Sequence, residues 1–273
     1  MSSRMPPHHL WTGAARIAYE RVADAAPYGA MRANPAAELV RGSSYDQILC
    51  LGAGPDPVTE AGALGAIAVA APLHVLVHDI TISSASTMCG RLAQLVDASA
   101  VDNRSTQSAI CEFTPISSDL RHPELCARLG GPFALTTLLG YTLGNFTDAE
   151  ALDFLRQLAP VSRQLLLDVP VAWDGDPRLH ARAFDPGAET AWLEAAYTDW
   201  HGYAPRTSVR SDVEYYADGY VVRVMVGNDE LLRFRRRSVS GWIALFEKGG
   251  WSLRKGSVTD GHPRLAALLT SAS

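Results

Sequence analysis

Three observations predict a doubly wound α/β fold with a mostly parallel sheet. From residue 46 to residue 170 short apolar runs alternate with helix-length amphipathic stretches, the pattern of strands joined by helical crossovers. The first run, Gln47–Leu51, stops at Gly52-Ala53-Gly54, as a buried strand does where it hands over to a nucleotide-binding loop. The last third instead alternates at period two around the turn sequences Ala217-Asp218-Gly219 and Gly227-Asn228-Asp229, which predicts a C-terminal antiparallel β extension. Of the 273 residues 47% are hydrophobic, enough to bury one substantial core.

The elements follow in order. Residues 10–26 carry helical spacing, with Leu10, Ala14, Ile17, Ala18, Arg21 and Val22 on one stripe, and Pro27-Tyr28-Gly29 ends the helix. It is expected to act as a lid or packing helix. Strands are predicted at 47–51, 73–78, 109–113, 134–139 and 164–169, with helices at 58–70, 85–98 and 148–158. Their crossovers should be right-handed. Pro170, Gly175, Pro177 and Pro186 then break the pattern before an aromatic-rich helix at 189–200. Strands at 212–216, 220–226 and 230–237 precede a helix at 238–248, and Gly249-Gly250 supplies a left-handed cap. Trp251-Ser252-Leu253 is read as the last strand. This divides the chain into an N-terminal helical cap (1–44), a cofactor-binding core (45–170) and a substrate-side helix with antiparallel extension (171–273) completing the same domain.

Composition narrows the function. The net charge is −5, and Lys248 and Lys255 are the only lysines. The arginines are scattered except at Arg233, Arg235, Arg236 and Arg237, whose alternation with Leu231, Leu232 and Phe234 reads as the solvated side of a strand. Nucleic acid is therefore not expected as a partner. Cys50, Cys89, Cys111 and Cys126 lie in apolar segments without a Cys-x-x-Cys spacing, so reduced, buried thiols are expected, with neither zinc nor disulfides. The histidines offer no pair at helical spacing, and no metal is predicted. No stretch approaches the roughly 20 uncharged residues of a membrane span, and the start has no long apolar leader core. These features predict a cytoplasmic protein with a small-molecule substrate; the oligomeric state stays open between monomer and homodimer.

The chemistry sits at the strand ends. Gly52 and Gly54 allow a ligand close to the backbone. The second strand runs Val75-Leu76-Val77-His78-Asp79-Ile80, which places Asp79 where ligands bind in a doubly wound sheet. A carboxylate there can accept both hydroxyls of a ribose, or it can cap the following helix. The third strand leads into Ser117-Ser118-Asp119-Leu120, where Asp119 suits an adenine amine or an Asx-turn. The fourth ends in Leu139-Gly140-Tyr141-Thr142-Leu143-Gly144-Asn145-Phe146, followed by the helix-capping sequence Thr147-Asp148-Ala149-Glu150.

This arrangement resembles the class I S-adenosylmethionine-dependent methyltransferases, which have a Rossmann-like fold. The phrase Leu-Gly-x-x-x-Gly-Asn-Phe at 139–146 is similar to the histidine-specific methyltransferase family, known for trimethylating histidine in ergothioneine biosynthesis. The likeness covers about residues 45–170 and, more faintly, the chain through Trp251. It implies S-adenosyl-L-methionine as cofactor. By position Gly52, Ala53 and Gly54 would face its methionine portion, Asp79 and Ile80 the ribose, Asp119 and Leu120 the adenine, and Gly140, Tyr141 and Thr142 the sulfonium. Tyr141 and Asn145 would stand nearest the reacting atoms. Asn145 and Phe146 would help hold the substrate, unless Asn145 caps the helix starting near Thr147. Tyr19, Tyr28 and Trp192, with Tyr197 and Trp200, either fence the acceptor or pack in the core.

The chain also departs from that pattern. Cys50 stands where the family carries an acid, Asp56 replaces a third glycine, and the Glu-x-Ser pair that grips imidazole has no counterpart, Glu230 offering a carboxylate only in a shifted register. Histidine is thus not expected as substrate. The expectation is methyl transfer to a small amine-bearing or amino-acid-like metabolite, as in secondary metabolism. Attack at the cofactor's aminobutyrate carbon, giving aminobutyryl transfer or cyclisation, is the chemical alternative; a non-catalytic nucleotide-binding partner subunit is another. A nicotinamide-dependent oxidoreductase would need a third glycine and a Tyr-x-x-x-Lys relay, and the sequence has neither.

Overall fold

A computed structural model describes residues 3–23, 35–52, 58–67, 73–102, 111–122, 124–173, 175, 177, 186–259 and 263–272. Five parallel strands form the heart of the main sheet: β1 (Gln47–Leu51), β2 (Leu73–Asp79), β3 (Cys111–Ser117), β4 (Leu135–Leu138) and β5 (Gln164–Pro170). The C-terminal pair β9 (Trp251–Thr259) and β10 (Arg264–Ser271) completes seven strands in the order β3-β2-β1-β4-β5-β10-β9. β10 runs antiparallel to both β5 and β9. This is the Rossmann-like, mostly parallel α/β sheet with an antiparallel C-terminal extension that the sequence predicts.

Helices cover both faces, which is why the strands read as unbroken apolar runs. Ile48 and Cys50 of β1 and Leu166 of β5 point to the layer of α2 (Ala36–Val40), α3 (Val58–Ala66) and α4 (Ile82–Asp102). Leu49 and Leu51 of β1 and Leu165, Leu167 and Val169 of β5 point to the layer of α5 (Leu125–Leu129), α6 (Asp148–Leu158) and α8 (Val239–Lys248). Alternation of one strand's side chains between two helical layers fixes its register.

A smaller sheet stands apart, with β6 (Val209–Tyr216), β7 (Gly219–Val226) and β8 (Asp229–Arg237) joined antiparallel. Its inner face packs with α1 (Gly13–Ala23) and α7 (Pro186–His201) around Tyr19, Trp192, Leu193, Val224 and Leu232. The main sheet is extended by the last two strands, not by these hairpins.

Several expectations are corrected. α1 begins at Gly13, after a short 3-10 turn at Pro7–Leu10, and buries Ala15, Tyr19 and Val22, while Ile17 is 66% exposed. The buried stripe is therefore rotated from the predicted one. Trp251 opens β9 but not the last strand: the run Leu265–Leu269, at most 2% exposed throughout, is an interior strand absent from the sequence reading. β3 extends past Phe113 through Pro115 to Ser117, which is tolerated because β3 lies at the sheet edge. Arg235 and Arg237 are buried, not solvated. Cys50 is buried as expected, but Cys89 and Cys126 are partly exposed. Gly250, with φ of 86°, supplies the left-handed cap after α8.

Candidate functional site

A cavity of about 330 Å3 opens at the carboxyl ends of β1, β2, β4 and β5. The strand order reverses between β1 and β4, so the cavity lies where doubly wound folds bind their ligands. The smaller sheet, the 3-10 turn at Pro7–Leu10 and α1 form its roof.

The structure brings most of the predicted residues to this cavity: Gly52, Asp79, Ile80, Asp119, Leu120, Gly140, Tyr141, Thr142, Asn145, Phe146, Tyr19 and Trp192 all border it. Ala53, Gly54 and Tyr28 lie outside the described residues. Tyr197 and Trp200 are not on its wall. Cys50 packs inside the core, and burial pushes its thiol up to about 12, so it neither replaces the expected acid at the cavity nor ionises near neutrality.

Local geometry explains each placement. Gly52 adopts φ of 57°, and an added Cβ would meet Leu120 Cδ1 at 3.4 Å and Thr142 at 3.6 Å. Asp79, only 8% exposed at the end of β2, accepts a 2.6 Å hydrogen bond from the Ile80 amide. Asp119 forms the alternative that its sequence allowed. Its Oδ1 accepts from the Arg121 amide at 2.9 Å, an Asx-turn, while Oδ2 accepts from Arg121 Nη2 at 2.8 Å. Burial raises the Asp119 carboxyl, but the hydrogen bonds and charge of Arg121 outweigh it and hold it below its ordinary value. An adenine amine would share a carboxylate already bound to a guanidinium, which ionised oxygens with several lone pairs permit.

The Gly140–Phe146 segment is the centre of the site. Tyr141 is the one non-glycine among the described residues at positive φ, 64°. Asp168 Oδ1 accepts from its amide at 3.0 Å, and its carbonyl accepts from the Gly144 amide at 2.9 Å. The turn Thr142–Asn145 lies so close to β5 and β8 that a Cβ on Gly144 would stand 3.0 Å from Pro170 and 3.3 Å from the Arg235 carbonyl. Thr147 is the N-cap of α6, in a reciprocal capping box with Glu150. Asn145 is therefore not the cap; its carbonyl accepts from Arg4 Nη2 at 2.7 Å.

Asp168 and Arg264, both buried, line the cavity floor and are not among the residues expected there from the sequence. Arg264 Nη1 lies 3.6 Å from Asp168 Oδ2, and the Arg264 guanidinium sits 5.0 Å from the centre of the Tyr141 ring. One face of that ring is thus already covered by a cation. Burial raises the Tyr141 phenol above its ordinary value, with the Arg264 charge opposing. It stays protonated at neutral pH. The signal for Asp168 was a lone carboxylate within an apolar strand; Arg264 had none, because β10 was unrecognised.

Tyr19 and Trp192 pack in the core and also border the cavity. Their ring centroids are 4.9 Å apart, Trp192 Nε1 donates to the Leu10 carbonyl at 2.9 Å, and the two rings fill the core between the smaller sheet, α1 and α7 while forming cavity wall. Phe146 packs edge-on against Phe154, 5.6 Å between centroids, with little ring left exposed. His78, beside Asp79, hydrogen-bonds Ser118 Oγ at 2.8 Å, and burial lowers it to about 4.

No family model matches the chain, and no curated protein matches it. Solved structures do. An S-adenosylmethionine-dependent methyltransferase from Clostridium acetobutylicum is 8% identical over 84% of this chain and 85% of its own, with a TM-score of 0.46. A magnesium protoporphyrin IX methyltransferase from Synechocystis, solved with bound SAH, is 12% identical over 96% of each chain, with a TM-score of 0.48. A putative O-methyltransferase from Nostoc punctiforme is 13% identical, and this chain covers 61% of it; 97% of this chain is matched, with a TM-score of 0.49. No helix among the described residues is long and apolar enough to cross a membrane.

Proposed function

We propose that this protein is a cytoplasmic S-adenosylmethionine-dependent methyltransferase acting on a small amine-bearing, amino-acid-like metabolite, as in secondary metabolism. The observation that carries the reading is the convergence of Gly52, Asp79, Asp119, Gly140 and Tyr141 on one cavity at the point where the strand order reverses. The residues present fit the cofactor: a glycine at positive φ lets the backbone approach, and two acids stand at the ends of neighbouring strands.

In this reading Asp79 accepts the ribose hydroxyls, and Asp119 accepts the adenine amine while Leu120 covers the base. When bound, the cofactor supplies a methyl group on a sulfonium, already a good leaving group, so that the protein's part is alignment more than nucleophilic chemistry. Tyr141 and Gly140 border the reacting atoms. A protonated Tyr141 donates a hydrogen bond and does not act as base. Asn145 offers an amide that can both donate to and accept from the acceptor, and Tyr19 and Trp192 keep water from that side.

Incubation of the protein with S-adenosylmethionine, alone and then with a metabolite extract, tests the assignment. S-adenosylhomocysteine formed only with extract is expected. Methylthioadenosine as the product would overturn methyl transfer in favour of attack at the aminobutyrate carbon.

A further inference from the structure

Strand β8 carries four arginines that divide between two faces. Arg235 and Arg237 turn away from the cavity, where both pair with Asp218 and Arg237 also meets Asp148 at 2.5 Å. Arg233 is held by Glu230 at 2.7 Å. Arg236 shares the cavity face with Leu232 and Phe234. Opposite these three on β7 stand Tyr220, Val222 and Val224, so that Arg236 is the one charge on that face, while Arg233, which also borders the cavity, is paired with Glu230.

Among the described residues that charge has no counterion. Arg236 Nη1 donates to the Val171 carbonyl at 3.4 Å, a long bond, and no carboxylate among the described residues lies within 4.0 Å. Burial lowers the guanidinium below its ordinary value, with the Tyr220 and Tyr141 phenols opposing; it nevertheless stays charged. The other cation beside Tyr141, Arg264, already faces Asp168. Counting the described residues, the Tyr141 end of the cavity therefore holds one positive charge in excess. A partly buried guanidinium with donors to spare has lost hydration that an anion would replace.

We infer that the acceptor carries a carboxylate and that Arg236 binds it. The planar fork of a guanidinium matches two carboxylate oxygens, and the protonated Tyr141 phenol on the same cavity wall adds a donor. This rests on the methyltransferase reading only in taking the β8 side of the cavity as the acceptor side. It adds a specificity residue that the sequence motifs, which pointed to Asn145, did not supply.

The test is calorimetry of the full chain with ω-amino acids of three to six carbons, each against its primary amide, in the presence of S-adenosylhomocysteine. At least one acid is expected to bind roughly tenfold or more tightly than its amide. Arg236→Met should abolish that preference and Arg236→Lys should restore part of it. Equal binding of every acid and amide, binding of none, or a preference that survives Arg236→Met would overturn the inference. The comparison within the native protein decides the matter even if Arg236→Met fails to fold. Titration of the native protein with S-adenosylmethionine is run separately; its failure would sink the methyltransferase reading, whereas an acid preference observed without it would still report on Arg236.

Discussion

Tyr141 holds a left-handed conformation that costs a non-glycine residue about 1–2 kcal/mol. Asp168, Gly144 and the packing of the ring beneath Arg264 hold it there. Asp168→Ala removes the anchor of the Tyr141 amide and leaves Arg264 buried without its carboxylate. Urea unfolding should show a loss of about 3 kcal/mol, partly recovered by Arg264→Met in the same chain. Residues of this kind differ in how legible they are. Gly52, Asp79, Asp119 and Gly140 could be found from the sequence because each is defined by its place at the end of its own strand. Arg264 and Arg236 could not, because their roles depend on β10 and β8 being brought to β5 and the cavity from far along the chain. The arginines of β8 were read as solvated because alternation gives two faces without telling which of them is covered.

Elements with strong local signals came out as expected. Helix α6 has its stripe, its capping box and its start at Asp148 all in the local sequence. Thr147→Ala should cost about 1 kcal/mol in urea unfolding. β10 has no local signal of that kind: an apolar run buried on both faces shows neither period two nor period 3.6, and only its place between β5 and β9 makes it a strand. α1 was recognised but its face was not, since Ala-rich turns leave the stripe ambiguous until Tyr19 docks on Trp192. In α7, burial pushes the Glu189 carboxyl up to about 7 from 4.5. Between those values the folded state keeps a proton that the unfolded state has released, so stability falls as pH rises through the window. Thermal unfolding of Glu189→Gln should therefore match the native protein at pH 4 and exceed it by about 1 kcal/mol at pH 8, after discounting for its partial exposure.

At the scale of the molecule the cavity is closed by parts distant in sequence. Residues 3–5 lie against the start of β8: the Met5 amide donates to the Glu230 carbonyl and the Glu230 amide donates to the Ser3 carbonyl, both at 2.9 Å. Arg4 ties this segment to Glu150 on α6 at 2.7 Å and to the Asn145 carbonyl at 2.7 Å, and it lies 3.5 Å from Glu230. One side chain thus joins the N-terminal cap, the smaller sheet and the parallel core around the site. Arg4→Ala should speed amide exchange at Met5 and Glu230 while leaving exchange in β1 and β5 unchanged. The central claim is that the parallel sheet holds S-adenosylmethionine through the acid at the end of β2. Its most direct test is calorimetric titration of the full chain with S-adenosylmethionine beside Asp79→Ala. One site is expected in the native protein, with a loss of roughly ten- to a hundredfold in affinity for the variant. Absence of binding by the native protein, or undiminished binding by Asp79→Ala, would contradict it.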